Sequence, residues 1–89
     1  MSEYSIMPLG GRTFQVKVEG EGSGSTHEVT VDDATLANLG WEGSFEELIR
    51  LSFDFLLARE PKESILAKFE LSDVSRYFPE YADEIASSH

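Results

Sequence analysis

The sequence predicts a single α+β domain, and three observations carry that prediction. The first third alternates apolar and polar residues, as in "RTFQVKVEG" over residues 12–20, the period-two pattern of half-buried strands. The middle switches to helical spacing in "SFEELIRLSFDFLLARE" over residues 44–60. The last third carries short apolar stripes interrupted at Pro61 and Pro79, residues that end or restart helices. The expected organisation is a β-hairpin region over residues 1–32, a short helix over 33–40 and a central helix over 44–59. Short helices over 61–86 and a frayed tail over 87–89 complete it. An antiparallel hairpin of two or three strands is expected to pack on the central amphipathic helix and the short C-terminal helices.

Within the first strand Phe14, Val16 and Val18 alternate with Thr13, Gln15, Lys17 and Glu19. In "THEVTVD" His27, Val29 and Val31 face one way, and Thr26, Glu28 and Thr30 the other. The glycine-serine run from Gly20 to Ser25 suits a flexible antiparallel connection. Tyr4 and Ile6, ahead of Pro8, offer a third strand at the sheet edge. The period then changes: Asp32 or Asp33 can N-cap, Leu36 and Leu39 sit three apart, and Gly40 suits the position after a helix.

The central helix opens on Ser44 with Glu47 three residues on, a capping-box pair. Phe45, Leu48, Ile49, Phe53, Phe55 and Leu56 cover one broad side, and Leu51 and Leu57 extend its margins. Only Glu46, Glu47, Arg50 and Asp54 form a polar strip. That apolar arc is roughly twice the ~100° stripe of an ordinary surface helix, so cover on two sides is required. One side is expected to meet Phe14, Val16, Val18, Val29 and Val31. The other is expected to meet Ile65, Leu66, Phe69, Val74, Tyr77 and Phe78. Pro61 suits the first position of a helix through "PKESILAKF", and Ser72 suits the N-cap of the next. From there Val74, Tyr77, Phe78, Tyr81 and Ile85 form a helical stripe. The simplest use of that stripe is core closure, with two tyrosine hydroxyls at its rim.

Eighty-nine residues without a cysteine must stabilise themselves through an apolar fraction of 40%, since neither disulfides nor thiolate metal sites are available. Seven basic against seventeen acidic residues give a net charge of −10. That field repels phosphate backbones and anionic lipid and favours basic partners or plain solubility. A basic segment leading into an apolar one is lacking near the start, and no apolar run reaches about 18 residues. A cytoplasmic location without membrane association is therefore expected.

Catalysis and metal binding have little to draw on. His27 stands alone on an apolar strand face, and His89 ends the sequence. No HExxH, EF-hand or G-x-S-x-G spacing occurs. The glycines at 20, 22 and 24 run from strand to strand beside Glu19 and Glu21, whereas a phosphate cradle runs from strand to helix N-terminus. Asp32–Asp33, Glu46–Glu47 and Asp83–Glu84 are explained by helix capping and the macrodipole. No catalytic, cofactor-binding or metal-binding residue is assigned, and a non-enzymatic role is expected.

"SILAKFELSDVSRYF", residues 64–78, resembles the helix-turn-helix of bacterial repressors, with Ile65, Phe69, Leu71 and Ser72 in its first half and Val74 to Phe78 in its second. It departs from that pattern at Glu70, where a turn glycine is usual, and in a short recognition helix bearing Asp73. The alternative reading this supports is a DNA-associated regulator or an acidic nucleic-acid mimic; the local acids disfavour direct DNA contact. A longer segment, Phe45 to Tyr81, resembles the C-terminal half of a group of short bacterial proteins sharing "SFxFLLxREPxxSIL" and "FxLxxIxxYFPxY". Ser52, Phe53, Phe55 to Leu57, Arg59 to Pro61, Ser64 to Leu66, Phe69, Leu71, Tyr77 to Pro79 and Tyr81 carry the match. The resemblance implies that "REP" and "YFPEY" belong to one architecture, and it implies no activity. The function expected is a protein-interaction or regulatory module that meets a protein partner or a second copy of itself. Trp41, Tyr77 and Tyr81 are its candidate contact residues, as aromatics that combine apolar area with a polar handle.

Overall fold

The computed structural model describes residues 3–20 and 23–88. Its elements are strands β1 (Glu3–Gly10), β2 (Thr13–Gly20) and β3 (Ser23–Thr30), helices α1 (Asp33–Leu39) and α2 (Phe45–Leu57), and a 3-10 turn at Lys62–Ser64. Strand β4 (Lys68–Glu70) and helices α3 (Leu71–Tyr77) and α4 (Tyr81–Ser88) follow. Among the described residues the fold is thus a four-stranded sheet with four helices, in the α+β class. The strand order is β1-β2-β3-β4, antiparallel through the first three and parallel between β3 and β4.

The first three strands run further than the composition suggests. Strand β1 continues through Pro8, which pairs with Phe14 on the sheet edge, where proline is tolerated. Gly11 then turns the chain at φ 56°, a value that side chains with a Cβ resist. Much of the predicted flexible run is strand: Val18 pairs with Ser25, Glu19 with Gly24 and Gly20 with Ser23. The backbone ladder needs no side chain, so a good register extends into a glycine-serine segment. Glu21 and Gly22 of that run, and His89 of the predicted tail, lie outside the described residues. Helix α4 reaches Ser88 and so takes in most of the tail expected to fray.

The main correction concerns residues 61–70. The expected helix stops after one 3-10 turn, because Ile65 is extended at φ −80° and ψ 133°. The chain then runs beside β3, with Val29 opposite Phe69. Glu28 N–H donates to the Ala67 carbonyl at 2.7 Å, and His27 Nδ1 lies 2.8 Å from the Leu66 carbonyl. A carbonyl only accepts, so Nδ1 carries a proton, and Nε2 faces the Ser25 hydroxyl at 2.8 Å. The backbone edge of β3 supplies bonds that an isolated helical turn cannot match, and burial of Phe69 adds the apolar gain. The helix-turn-helix likeness therefore has no first helix.

Helix ends follow local chemistry. Ser44 Oγ accepts the Glu47 amide at 3.1 Å. Gly40, at φ 60°, ends α1 and donates its N–H to Leu36, the left-handed close that glycine favours. Helix α3 is capped by Glu70 and Asp73 in a reciprocal box, not by the predicted Ser72. Ser72 N–H instead donates to Asp32 Oδ1 at 3.2 Å, and the Thr35 hydroxyl donates to the same oxygen at 2.5 Å. Burial alone would raise the Asp32 carboxyl, but these donors outweigh it and hold it below its ordinary value. Asp32 thereby ties the start of α1 to the start of α3.

One core cluster holds Val16, Val18, Val29 and Val31 from the strands and their ends, Leu48, Ile49, Phe53, Phe55 and Leu56 from α2, and Ile65, Phe69, Leu71, Val74, Tyr81 and Ile85 from the rest. Phe53 is fully buried, with His27 and Phe69 ring centroids 5.5 and 6.1 Å away. Phe53→Ala should cost about 3–5 kcal/mol, whereas Phe45→Ala, at a half-buried position, should cost clearly less. Urea unfolding of the two variants measures the difference, and equal losses would show that Phe53 is not central to the core.

Candidate functional site

The sequence from Glu60 to Phe78 builds a groove because its two helical borders meet at an extended segment. Pro61 takes the chain off the end of α2. The 3-10 turn and β4 carry it under α3, and Pro79 ends α3 by pushing Phe78 out of helical geometry, at φ −130° and ψ 89°. The result is an open groove of about 350 Å³ between Leu56 of α2 with Glu60 just past its end, Ser64 to Leu66 with Phe69, and Asp73, Val74, Tyr77 and Phe78. Ile65, Phe69 and Val74 are buried beneath it. Leu66 and Tyr77 stand 53% and 70% exposed at its walls, although the sequence predicts both against the central helix. His27 fixes the Leu66 carbonyl toward the sheet, which leaves the leucine side chain directed outward.

The three predicted contact residues are not brought together. Tyr77 lines the groove. Tyr81 is fully buried, with its hydroxyl 2.5 Å from Ser52 Oγ and its ring 5.3 Å from that of Phe55. Ser52 donates to the Leu48 carbonyl at 2.8 Å, so its single hydrogen is used and Tyr81 must be the donor to Ser52. Burial pushes the Tyr81 phenol up to about 12, and the Ser52 contact lowers it only in part. Trp41, between α1 and α2, is half-buried against the core and does not line the groove. Its indole Nε1 donates to the Ser44 carbonyl at 3.0 Å. Sequence reasoning missed Leu66; the break at Pro61 was its available signal, since a leucine just past it need not follow the stripe of α2.

"REP" and "YFPEY" meet at the C-terminal end of α2, the end that also borders the groove. The Arg59 guanidinium lies 3.8 Å from the Phe55 ring centroid and donates to the Phe55 carbonyl at 3.2 Å. It also reaches Glu80 at 3.3 Å and Glu84 at 3.9 Å. One cation thus satisfies a helix C-terminus, stacks on an aromatic and binds α4.

Among the described residues, no group of three His, Cys, Asp or Glu side chains could hold a metal ion. No buried side-chain nitrogen or oxygen among them lacks a hydrogen-bond partner. No helix among them is long and apolar enough to cross a membrane. No family model, curated protein or solved structure matches the chain.

The Ser52–Tyr81 pair makes an asymmetric prediction. Tyr81→Phe removes one donor and leaves Ser52 bonded to Leu48, at a cost of about 1 kcal/mol. Ser52→Ala strands the buried phenol and should cost more, about 1–3 kcal/mol. Because the folded pKa is raised, the stability held by the neutral phenol is complete below the unfolded value of about 10 and is lost as pH rises toward about 12. Chemical denaturation across alkaline pH should show that slope, and Tyr81→Phe should remove it.

Proposed function

We propose that the chain is a non-enzymatic protein-interaction or regulatory module whose contact surface is the groove walled by Leu66 and Tyr77. The observation that carries this reading is their exposure beside an apolar floor. A lone exposed leucine is ordinary, but an exposed leucine and an exposed tyrosine flanking a concave apolar surface have the makeup of a contact site. Tyr77 alone remains of the three candidate aromatics, with Tyr81 and Trp41 serving the core and the α1–α2 connection. The hairpin is read as packed on α2, supported by ring contacts of Phe14 with Phe45 at 6.3 Å and of His27 with Phe53 at 5.5 Å. A cytoplasmic location rests on composition alone.

A displayed random-peptide library, selected on the wild-type chain and counter-selected on Leu66→Asp, tests the reading. Leu66→Asp should leave unfolding within about 0.5 kcal/mol, as expected of an exposed position. Peptides should then enrich that lose binding to this variant and to Tyr77→Ala. Enrichment of binders indifferent to both substitutions would remove the groove as the contact surface.

A further inference from the structure

The charge of the groove is one-sided. The two charged side chains that line it, Glu60 and Asp73, are both acidic. Asp73 is already engaged: its carboxylate accepts the Glu70 amide at 3.1 Å and lies 4.0 Å from Arg76. Glu60 has no ion-pair partner among the described residues. It is half-buried, just beyond the C-terminal end of α2, where unpaired carbonyls add negative potential. Neighbouring cations are spoken for elsewhere, Lys62 by Glu63 at 2.9 Å and Lys68 by Glu28 at 3.3 Å.

Resting on the groove as the contact surface, we propose that its occupant is a cationic amphipathic helix of a partner protein. Leu56 and Glu60 on one border and Asp73, Val74, Tyr77 and Phe78 on the other have helical spacing. A third helix fits between such borders with its apolar anchors inward. Those anchors seat on Phe69 and Val74 between Leu66 and Tyr77, and a lysine or arginine of the same helix meets Glu60. The net charge of −10 steers a cationic segment toward the chain. The same charge opposes a second copy, which would bring another −10 to the contact.

The proposal is tested on the full chain with three labelled helical peptides of equal length, built from leucine with lysine, glutamine or glutamate. Binding is read by fluorescence anisotropy and by amide chemical shifts. The leucine-lysine peptide should bind most tightly, shift the amides of Leu66, Val74 and Tyr77, and weaken as salt is added. Glu60→Gln should weaken it about threefold, the scale of a partly exposed ion pair, and Leu66→Asp roughly tenfold or more. Glu46→Gln, on the exposed face of α2, should change nothing. Equal binding of the glutamine or glutamate peptide at the same amides would overturn the cationic class while leaving the groove reading intact. No shift at the groove with any peptide would sink both. Equal losses from Glu46→Gln and Glu60→Gln would reduce the effect to general acidity and overturn the proposal. Light scattering that shows self-association, with the groove amides protected, would overturn it in favour of a second copy.

Discussion

Helix α2 buries Leu48, Ile49, Ser52, Phe53, Phe55 and Leu56 within thirteen residues, and most of the chain is committed to covering it. Phe53 meets rings from β3 and β4, and Phe55 meets Phe78, Tyr81 and the Arg59 guanidinium. A serine in the middle of this apolar arc adds a second demand, because a buried hydroxyl is costly without a partner. The Leu48 carbonyl and the Tyr81 phenol meet it. Placing Tyr81 against Ser52 fixes where α4 starts, and Arg59 holds that start through Glu80.

The groove is what this cover leaves over. Helix α3 has seven residues and ends at Tyr77. It buries Leu71 and Val74 but cannot also bring Tyr77 inward while Phe78 reaches the Phe55 ring. The segment before it is extended, so Leu66 alternates away from its neighbour Ile65. Two side chains with the makeup of core residues therefore end beside an apolar hollow. Sheet pairing of β4 on one side and phenol burial on the other create that surface, and no additional element is needed to present it.

Much of the fold was legible where a periodic signal was long. The strands through Phe14–Val18 and Val29–Val31, α2 with its Ser44 cap, and the stop at Gly40 follow from spacing and capping chemistry. Strand β4 was not legible. Three residues with one buried side chain, Phe69, fit a helical stripe with Ile65 as well as they fit a strand, and only the backbone of β3 decides between them. The site was legible in part. Tyr77 was among the aromatics marked for contact, but Tyr81 shares its stripe and Trp41 its amphipathic character. What separates the three is a serine on a distant helix and a proline at 79, neither of which announces a direction for a tyrosine.

The parallel pairing of Val29 with Phe69 also sets an order of events. The three N-terminal strands pair with near neighbours, so they can zip early, whereas β4 must wait for both intervening helices. In a chain emerging from its N-terminus, β3 stands as an open edge until Phe69 arrives. An unpaired edge is a template for other strands. The late segment that shapes the groove is therefore also the one that covers the Glu28–Thr30 stretch of that edge.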